Sequence, residues 1–203
     1  MYFPDPRLSD AEGLVAVGGD ISPETLLQAY RQGIFPWYND NEPICWWSPE
    51  PRCVLFPDEL KISKSMRTVL NNGSFRFTTN RAFAAVMNNC RNTLRNGIAG
   101  SWINQELIES FNSLHGQGYA HSAEAWADGI LVGGLYGIRS GDYFFGESMF
   151  SKISNASKFA FIKYIDQLKM EGVKMIDCQV YTPHLESLGA RMIPRNEFLD
   201  MIG

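Results

Sequence analysis

Cysteine is scarce in this sequence. Cys45, Cys53, Cys90 and Cys178 are the only four in 203 residues, without CxxC spacing and without the density of a disulfide scaffold. Histidine is scarcer still, at three, which argues against a zinc centre. Excess positive charge is missing: at a net charge of -4 the chain projects no global basic field, so any nucleic-acid contact must be local. No run approaches the roughly 18 apolar residues of a membrane helix. The opening Met1-Tyr2-Phe3-Pro4-Asp5 has no basic segment followed by an apolar one. Internal repeats and low-complexity stretches are lacking too. Together these absences lead us to expect a reduced, soluble, cytoplasmic monomer, with no membrane partner and no metal or other cofactor.

What the chain has in excess is aromatic surface. Thirteen Phe, eight Tyr and five Trp in a chain that is 45% hydrophobic exceed what packing asks for, and such a surplus often lines a cleft for planar or apolar groups. The length suits one large domain, or a small one fused to a larger.

Local signals divide the chain. Ser22-Pro23-Glu24 reads as the cap and first turn of a helix closed by Gly33. Ile34 to Arg52, rich in Pro and Trp, reads as ordered but irregular. Helices are expected from Ser63 to the Asn71-Asn72-Gly73 stop, from Asn80 through Cys90, and from the cap Asn104 to Gly116. After Ala120 come three strands split by Asp128-Gly129 and Gly141-Asp142, the pattern of an antiparallel meander. A helix over Asn155 to Glu171, a strand over Val173 to Val180, a short helix from Thr182-Pro183 to Leu188 and an extended piece around Ile193 complete the order. This predicts an α+β fold, with a small aromatic N-terminal part and a larger domain built on a mixed sheet flanked by helices.

Two polar side chains interrupt the otherwise apolar strand Met175-Ile176-Asp177-Cys178-Gln179-Val180. Alternation puts Asp177 and Gln179 on one face and Ile176, Cys178 and Val180 on the other. Phe144-Phe145-Gly146-Glu147-Ser148-Met149-Phe150 repeats the device with a lone carboxylate, whose burial costs several kcal/mol unless it is paired or used. The plain alternative is core polar groups satisfied by backbone. Substitution of Asp177 or Gln179 is expected to cost activity while sparing the fold.

Other motifs fail. Gly13 to Asp20 has Walker-like glycines, but Gly19 and Asp20 stand where Lys and Ser or Thr are needed, so it reads as a turn before the first helix. Gly133-Gly134-Leu135-Tyr136-Gly137 lies in a strand, where glycines allow close backbone approach. A thiol nucleophile built from Cys178 with His121 or His184 conflicts with the core face that alternation gives Cys178. Lys61, Lys64 and Arg67 gather at one helix start, and Lys152 and Lys158 flank the Glu147 region. A solvated face is their ordinary reading. With Trp37, Trp46, Trp47 and Trp102 in the chain, the alternative is a site where cations hold phosphates and indoles stack bases.

These segments, in order, resemble the leucyl/phenylalanyl-tRNA-protein transferase family. The residues that carry the likeness are the runs beginning at Gly13 (GLVAVGGD), Gly33 (GIFPWY), Trp46 (WWSPEPR), Ser101 (SWI), Gly118 (GYAHSAEAW), Leu131 (LVGGLYG), Phe144 (FFGESMFS), Asn155 (NASK), Ile176 (IDCQV) and Ser187 (SLGA). The resemblance implies transfer of Leu or Phe, less readily Met, from aminoacyl-tRNA onto proteins with N-terminal Arg or Lys, marking them as N-degrons. It implies a larger domain of the acyltransferase type called GNAT, at residues 54–203, behind an N-terminal domain at 1–53. It also implies Asp177 and Gln179 as catalytic, Glu147 at the acceptor site, and Trp37, Trp102 and Phe111 around the terminal adenosine. Leu135, Phe144, Phe161, Tyr164 and Ile176 would hold the aminoacyl side chain; Lys61, Lys64 and Arg67, from their clustering alone, are the candidates for tRNA phosphates.

The chemistry is coherent on its own terms. The ester of an aminoacyl-tRNA is already activated, so the main task is to position a neutral α-amine, of reference pKa about 7.7–8.0, against its carbonyl. Asp177 could take up the amine's proton or only orient it. Two rivals stand beside this reading: an acyl-CoA-dependent N-acetyltransferase, and a non-catalytic tRNA-binding module. The first needs a glycine-rich phosphate turn that Ser151-Lys152-Ile153-Ser154 lacks. The second leaves three polar residues in apolar strands unexplained.

Overall fold

Turn chemistry cuts the central part of the chain into hairpins. In the computed structural model, which describes residues 2–10, 12–93 and 102–203, β6 (Ala120–Ala127), β7 (Ile130–Ser140) and β8 (Tyr143–Ser151) form an antiparallel meander. Asp128 and Gly129 both take left-handed φ, 50° and 78°, as a tight hairpin turn requires. α5 (Ala156–Met170) then crosses over and returns the chain as β9 (Met175–Gln179), parallel to β8. β4 (Arg52–Leu55) inserts beside β9, and β10 (Arg191–Ile193) closes that edge. β5 (Arg76–Thr79) closes the other, giving seven strands in the order β10-β4-β9-β8-β7-β6-β5. All neighbours but β8 and β9 are antiparallel. This is the mixed, mainly antiparallel sheet of the expected α+β class.

Alternation along the strands feeds two cores. Phe144 joins the cluster under α5, with Leu55, Phe161, Tyr164 and Ile176. Phe145, one residue on, joins the opposite cluster, with Tyr30, Phe111, Tyr136 and Phe198. On that second face lie α1 (Pro23–Arg31), α3 (Phe83–Arg91) and α4 (Gln105–Gly116). The β7 glycines do permit close approach: a Cβ on Gly133 would meet Ala156 Cβ at 2.6 Å, and one on Gly137 would strike the Phe145 carbonyl and the Phe144 ring.

Helix signals were mostly legible. Ser22, Ser63, Asn104 and Thr182 each accept a backbone N–H at the start of α1, α2 (Lys64–Asn71), α4 and α6 (Pro183–Ser187). Four expectations are corrected. The stretch from Ile34 to Arg52, otherwise irregular, holds two short strands: β2 (Phe35–Pro36) and β3 (Cys45–Trp47) join β1 (Leu14–Val17) in a small sheet of order β1-β3-β2, anchored by the fully buried Trp46. The Gly13 to Asp20 run contains β1, and its turn is confined to Gly18 and Gly19 at φ 89° and 85°. α3 starts at Phe83 instead of Asn80, which has a left-handed φ of 58°. A last helix, α7 (Arg195–Ile202), follows Pro194 without a side-chain cap, and so without the usual signal. Ser101, part of one family-like run, lies outside the described residues. Among the described residues no helix is long and apolar enough to cross a membrane.

Candidate active site

The pairing of β8 with β9 runs from Tyr143/Met175 to Phe145/Asp177 and then stops. Each strand has a local reason to turn away. In β8, Gly146 faces Gly137 and Ser148 faces Tyr136, which leaves Glu147 as the extra residue of a β-bulge. In β9, Asp177 faces Val54 and Gln179 faces Cys53, which leaves Cys178 extra, and Gln179 takes a left-handed φ of 62°. Strict alternation therefore ends at Cys178. Where the strands part, a cleft of about 450 Å³ opens, bounded by Trp37 and Trp102, by Leu135, Met149, Phe161 and Ile176, and by the strand segment that carries Asp177 and Gln179.

Asp177 is buried and fully engaged. Its Oδ1 accepts from Arg52 Nε at 2.8 Å and from the Gln179 backbone N–H at 2.9 Å, and its Oδ2 accepts from Arg52 Nη2 at 2.7 Å. Arg52 is itself fully buried, its guanidinium held between the rings of Phe35 and Phe198 at 4.9 and 4.5 Å. The N–H bond to Asp177 offsets the cost of about 1 kcal/mol or more that a non-glycine residue bears in the left-handed region. The Gln179 side chain thereby points into the cleft and donates from Nε2 to Glu147 Oε1 at 2.6 Å.

Glu147 has a different electrostatic situation. Burial raises its carboxyl to about 7, and hydrogen bonds from Tyr30 and Gln179 lower it only in part. Its Oε2 is buried with no hydrogen bond of good geometry, as is the neighbouring Tyr30 hydroxyl. Glu147 is thus a buried carboxylate bounded by an amide and a phenol, with no ion pair to a cation among the described residues. His184 also borders the cleft; burial, then Lys158, lowers its imidazole below the usual value.

The structure gathers Trp37, Trp102, Leu135, Glu147, Phe161, Ile176, Asp177 and Gln179 around this one cleft. Three expected sets of contacts are not among its walls. Phe111 is fully buried, edge-on to Tyr136 at 5.3 Å, and packs the core where no nucleoside reaches it. Phe144 and Tyr164 form an edge-to-face pair at 5.1 Å behind the wall, where they back Phe161 and Ile176 without facing the cavity. Lys61, Lys64 and Arg67 are exposed at the start of α2, outside the cleft and without an ion pair among the described residues. Cys178 does border the cleft, but its thiol is pushed well up, first by its hydrogen bond with Cys53 and then by burial, which removes the thiolate a nucleophile would need.

Residues 54–203 match the family described as leucyl/phenylalanyl-tRNA protein transferase, and residues 19–50 match its N-terminal domain. The chain belongs to this transferase family. The transferase from Flavobacterium johnsoniae is 55% identical over 202 residues, covering 100% of this chain and 95% of that protein. The one from Nitrosospira multiformis is 55% identical over 191 residues, covering 94% and 82%. Among solved structures, the chain is similar to a GCN5-related N-acetyltransferase from Kribbella flavida, with a TM-score of 0.40 and 9% identity over 82% of this chain and 58% of that one. Membership makes the chain an enzyme. For this transferase, sequence reasoning missed Tyr30 and Arg52 behind the cleft and His184 as a cleft residue. Only Arg52 left a usable signal: a cation opening the apolar run Cys53-Val54-Leu55.

Proposed function

We propose that this enzyme moves Leu or Phe, and less readily Met, from aminoacyl-tRNA to the N-terminal Arg or Lys of acceptor proteins, forming a peptide bond and an N-degron. The observation that carries the reading is the apolar cleft at the strand split, in which Glu147 is the carboxylate without a cationic partner and is joined to the Gln179 amide. Gln179, with its Nε2 given to Glu147, presents its amide oxygen to an N–H of the acceptor's α-amine. Asp177 holds Gln179 in its unusual backbone conformation and, with both oxygens taken, acts as an orienting group instead of a base. Glu147 attracts the acceptor's cationic side chain. As the C–N bond forms, the amine loses a proton; as the ester C–O bond breaks, the ribose oxygen gains one. No metal or other cofactor takes part.

Leu135, Phe161 and Ile176, backed by Phe144 and Tyr164, receive the aminoacyl side chain. Trp37 and Trp102 stack the terminal adenosine, and Lys61, Lys64 and Arg67 meet tRNA phosphates. The enzyme works as a cytoplasmic monomer, with a small domain at 1–53 and the catalytic domain at 54–203. Incubation with Leu-, Phe- and Met-charged tRNA and a peptide beginning with Arg tests the whole reading. Transfer of Leu and Phe ahead of Met is expected, and no transfer from any of the three would sink it.

The N-acetyltransferase rival meets a local obstacle. At the start of α5 the Ala156 N–H bonds the Ile153 carbonyl at 3.3 Å and the Ser157 N–H bonds Ser151 Oγ at 3.2 Å, so the amides that would cradle a pyrophosphate are already used. Acetyl transfer from acetyl-CoA to the same peptide is expected to be absent.

The two tryptophans should separate by stability. Trp37 is 49% exposed, whereas Trp102 packs partly against the core. Trp37→Ala should cost about 1–3 kcal/mol in binding an aminoacyl-adenosine mimic with little change in melting temperature. Trp102→Ala should lose both. Titration with the mimic alongside a thermal melt checks this, and unchanged affinity in Trp37→Ala would remove it from the nucleoside site.

A further inference from the structure

Arg52 is fully buried outside the cleft walls and yet holds Asp177, whose Oδ1 accepts the Gln179 backbone N–H. The linkage is continuous. The Arg52 guanidinium makes two bonds to Asp177, Asp177 Oδ1 takes the Gln179 N–H, and Gln179 Nε2 reaches Glu147. Aromatic rings from two distant parts of the chain, Phe35 of β2 and Phe198 of α7, pack against the guanidinium at 4.9 and 4.5 Å. We infer that Arg52 is a positioning residue for the transfer reaction: through the fork it makes with Asp177, it sets the left-handed backbone of Gln179 and so the aim of the Gln179 amide at the acceptor amine. This rests on the function proposed above. A lysine could keep the charge but not the paired, coplanar bonds that fix the orientation of the Asp177 carboxylate.

The test is steady-state transfer from charged tRNA to an Arg-starting peptide by Arg52→Lys, with each substrate varied in turn and a thermal melt on the same samples. Arg52→Lys is expected to lower kcat on the order of 10²-fold, the scale set by a small misplacement of a reacting group, while KM for both substrates stays close to the parent's. In a Gln179→Ala background the same substitution should add almost nothing to the loss of kcat, because the two changes act along one path. A merely structural Arg52 would lower the melting temperature and the active fraction equally in both backgrounds. Parental kcat in folded Arg52→Lys, or fully multiplicative losses in the double variant, would overturn the inference. Should Arg52→Lys not fold, Phe198→Leu carries the test: it uncovers one face of the guanidinium with both charges retained, and a fall in kcat at unchanged KM is expected. Parental kcat in that variant would count against the inference. Failure of the parent to transfer at all would reject the proposed function instead.

Discussion

Asp177→Asn is expected to cost a substantial part of the protein's stability together with its activity, a correction to the expectation from the strand pattern that the fold would be spared. The substitution leaves the fully buried Arg52 without its counter-ion, and removal of one partner from a buried pair costs about 3–5 kcal/mol, against the roughly 5–15 kcal/mol that holds a typical domain folded. Gln179→Ala makes the contrast. It keeps the Arg52–Asp177 pair, gives up one hydrogen bond to Glu147, and should remain folded while transfer falls by at least about 10²-fold. Denaturant melts and transfer assays on both variants decide the matter. Asp177→Asn with parental stability would mean that Arg52 does not depend on this carboxylate, and near-parental turnover in Gln179→Ala would remove it from the reaction.

Glu147→Gln should do the opposite to stability. The folded protein holds the Glu147 proton up to about pH 7, whereas the unfolded chain releases it near the ordinary 4.5. Between those values the folded state binds more protons than the unfolded one, so stability falls as pH rises through that window, and the loss is complete above about pH 7. The interval corresponds to about 3 kcal/mol. Glu147→Gln, which has no proton to lose, is therefore expected to melt several degrees higher than the parent at pH 8 and at nearly the same temperature as the parent near pH 4. Its activity should suffer for the same reason. Losing the charge should raise KM for an Arg-starting peptide far more than KM for aminoacyl-tRNA, within the roughly 2–5 kcal/mol of a truncated charge pair, less what the amide recovers by hydrogen bonding. In the parent, binding of the Arg-starting peptide should weaken as pH falls through about 7. Equal effects on both substrates would take Glu147 out of the acceptor site.

That Asp177, Gln179 and Glu147 meet at one cleft was legible in the sequence, because burying a polar side chain in an apolar strand is costly and such residues stand out from their runs. The role of Arg52 was not, because its partner is 125 residues away and no local pattern carries that distance. The bulges at Glu147 and Cys178 were invisible too, since they exist only as a register between strands. Depth behaved the same way. Periodicity marks Phe111, Phe144 and Tyr164 as apolar, but whether such a ring meets a substrate or stands one layer back depends on the neighbours packed over it. The meander and the capped helices came through because their signals are local, whereas α7, which follows an uncapped proline, did not.

The position of β4 also dictates when the enzyme can exist. Arg52 leaves the ribosome before its partners: the strands on either side of it, β9 and β10, and the Phe198 ring that covers it all lie far downstream, with Asp177 125 residues later. Until they emerge, β4 has no partner in the large sheet, and Arg52 has neither the Asp177 carboxylate nor the Phe198 ring. Pairing across such separations is slow, and domains tend to fold as units once their sequence is available. A ribosome-bound chain halted before β9 therefore lacks Asp177 and Gln179 and the strand that parts from β8, so the cleft described above cannot form in it.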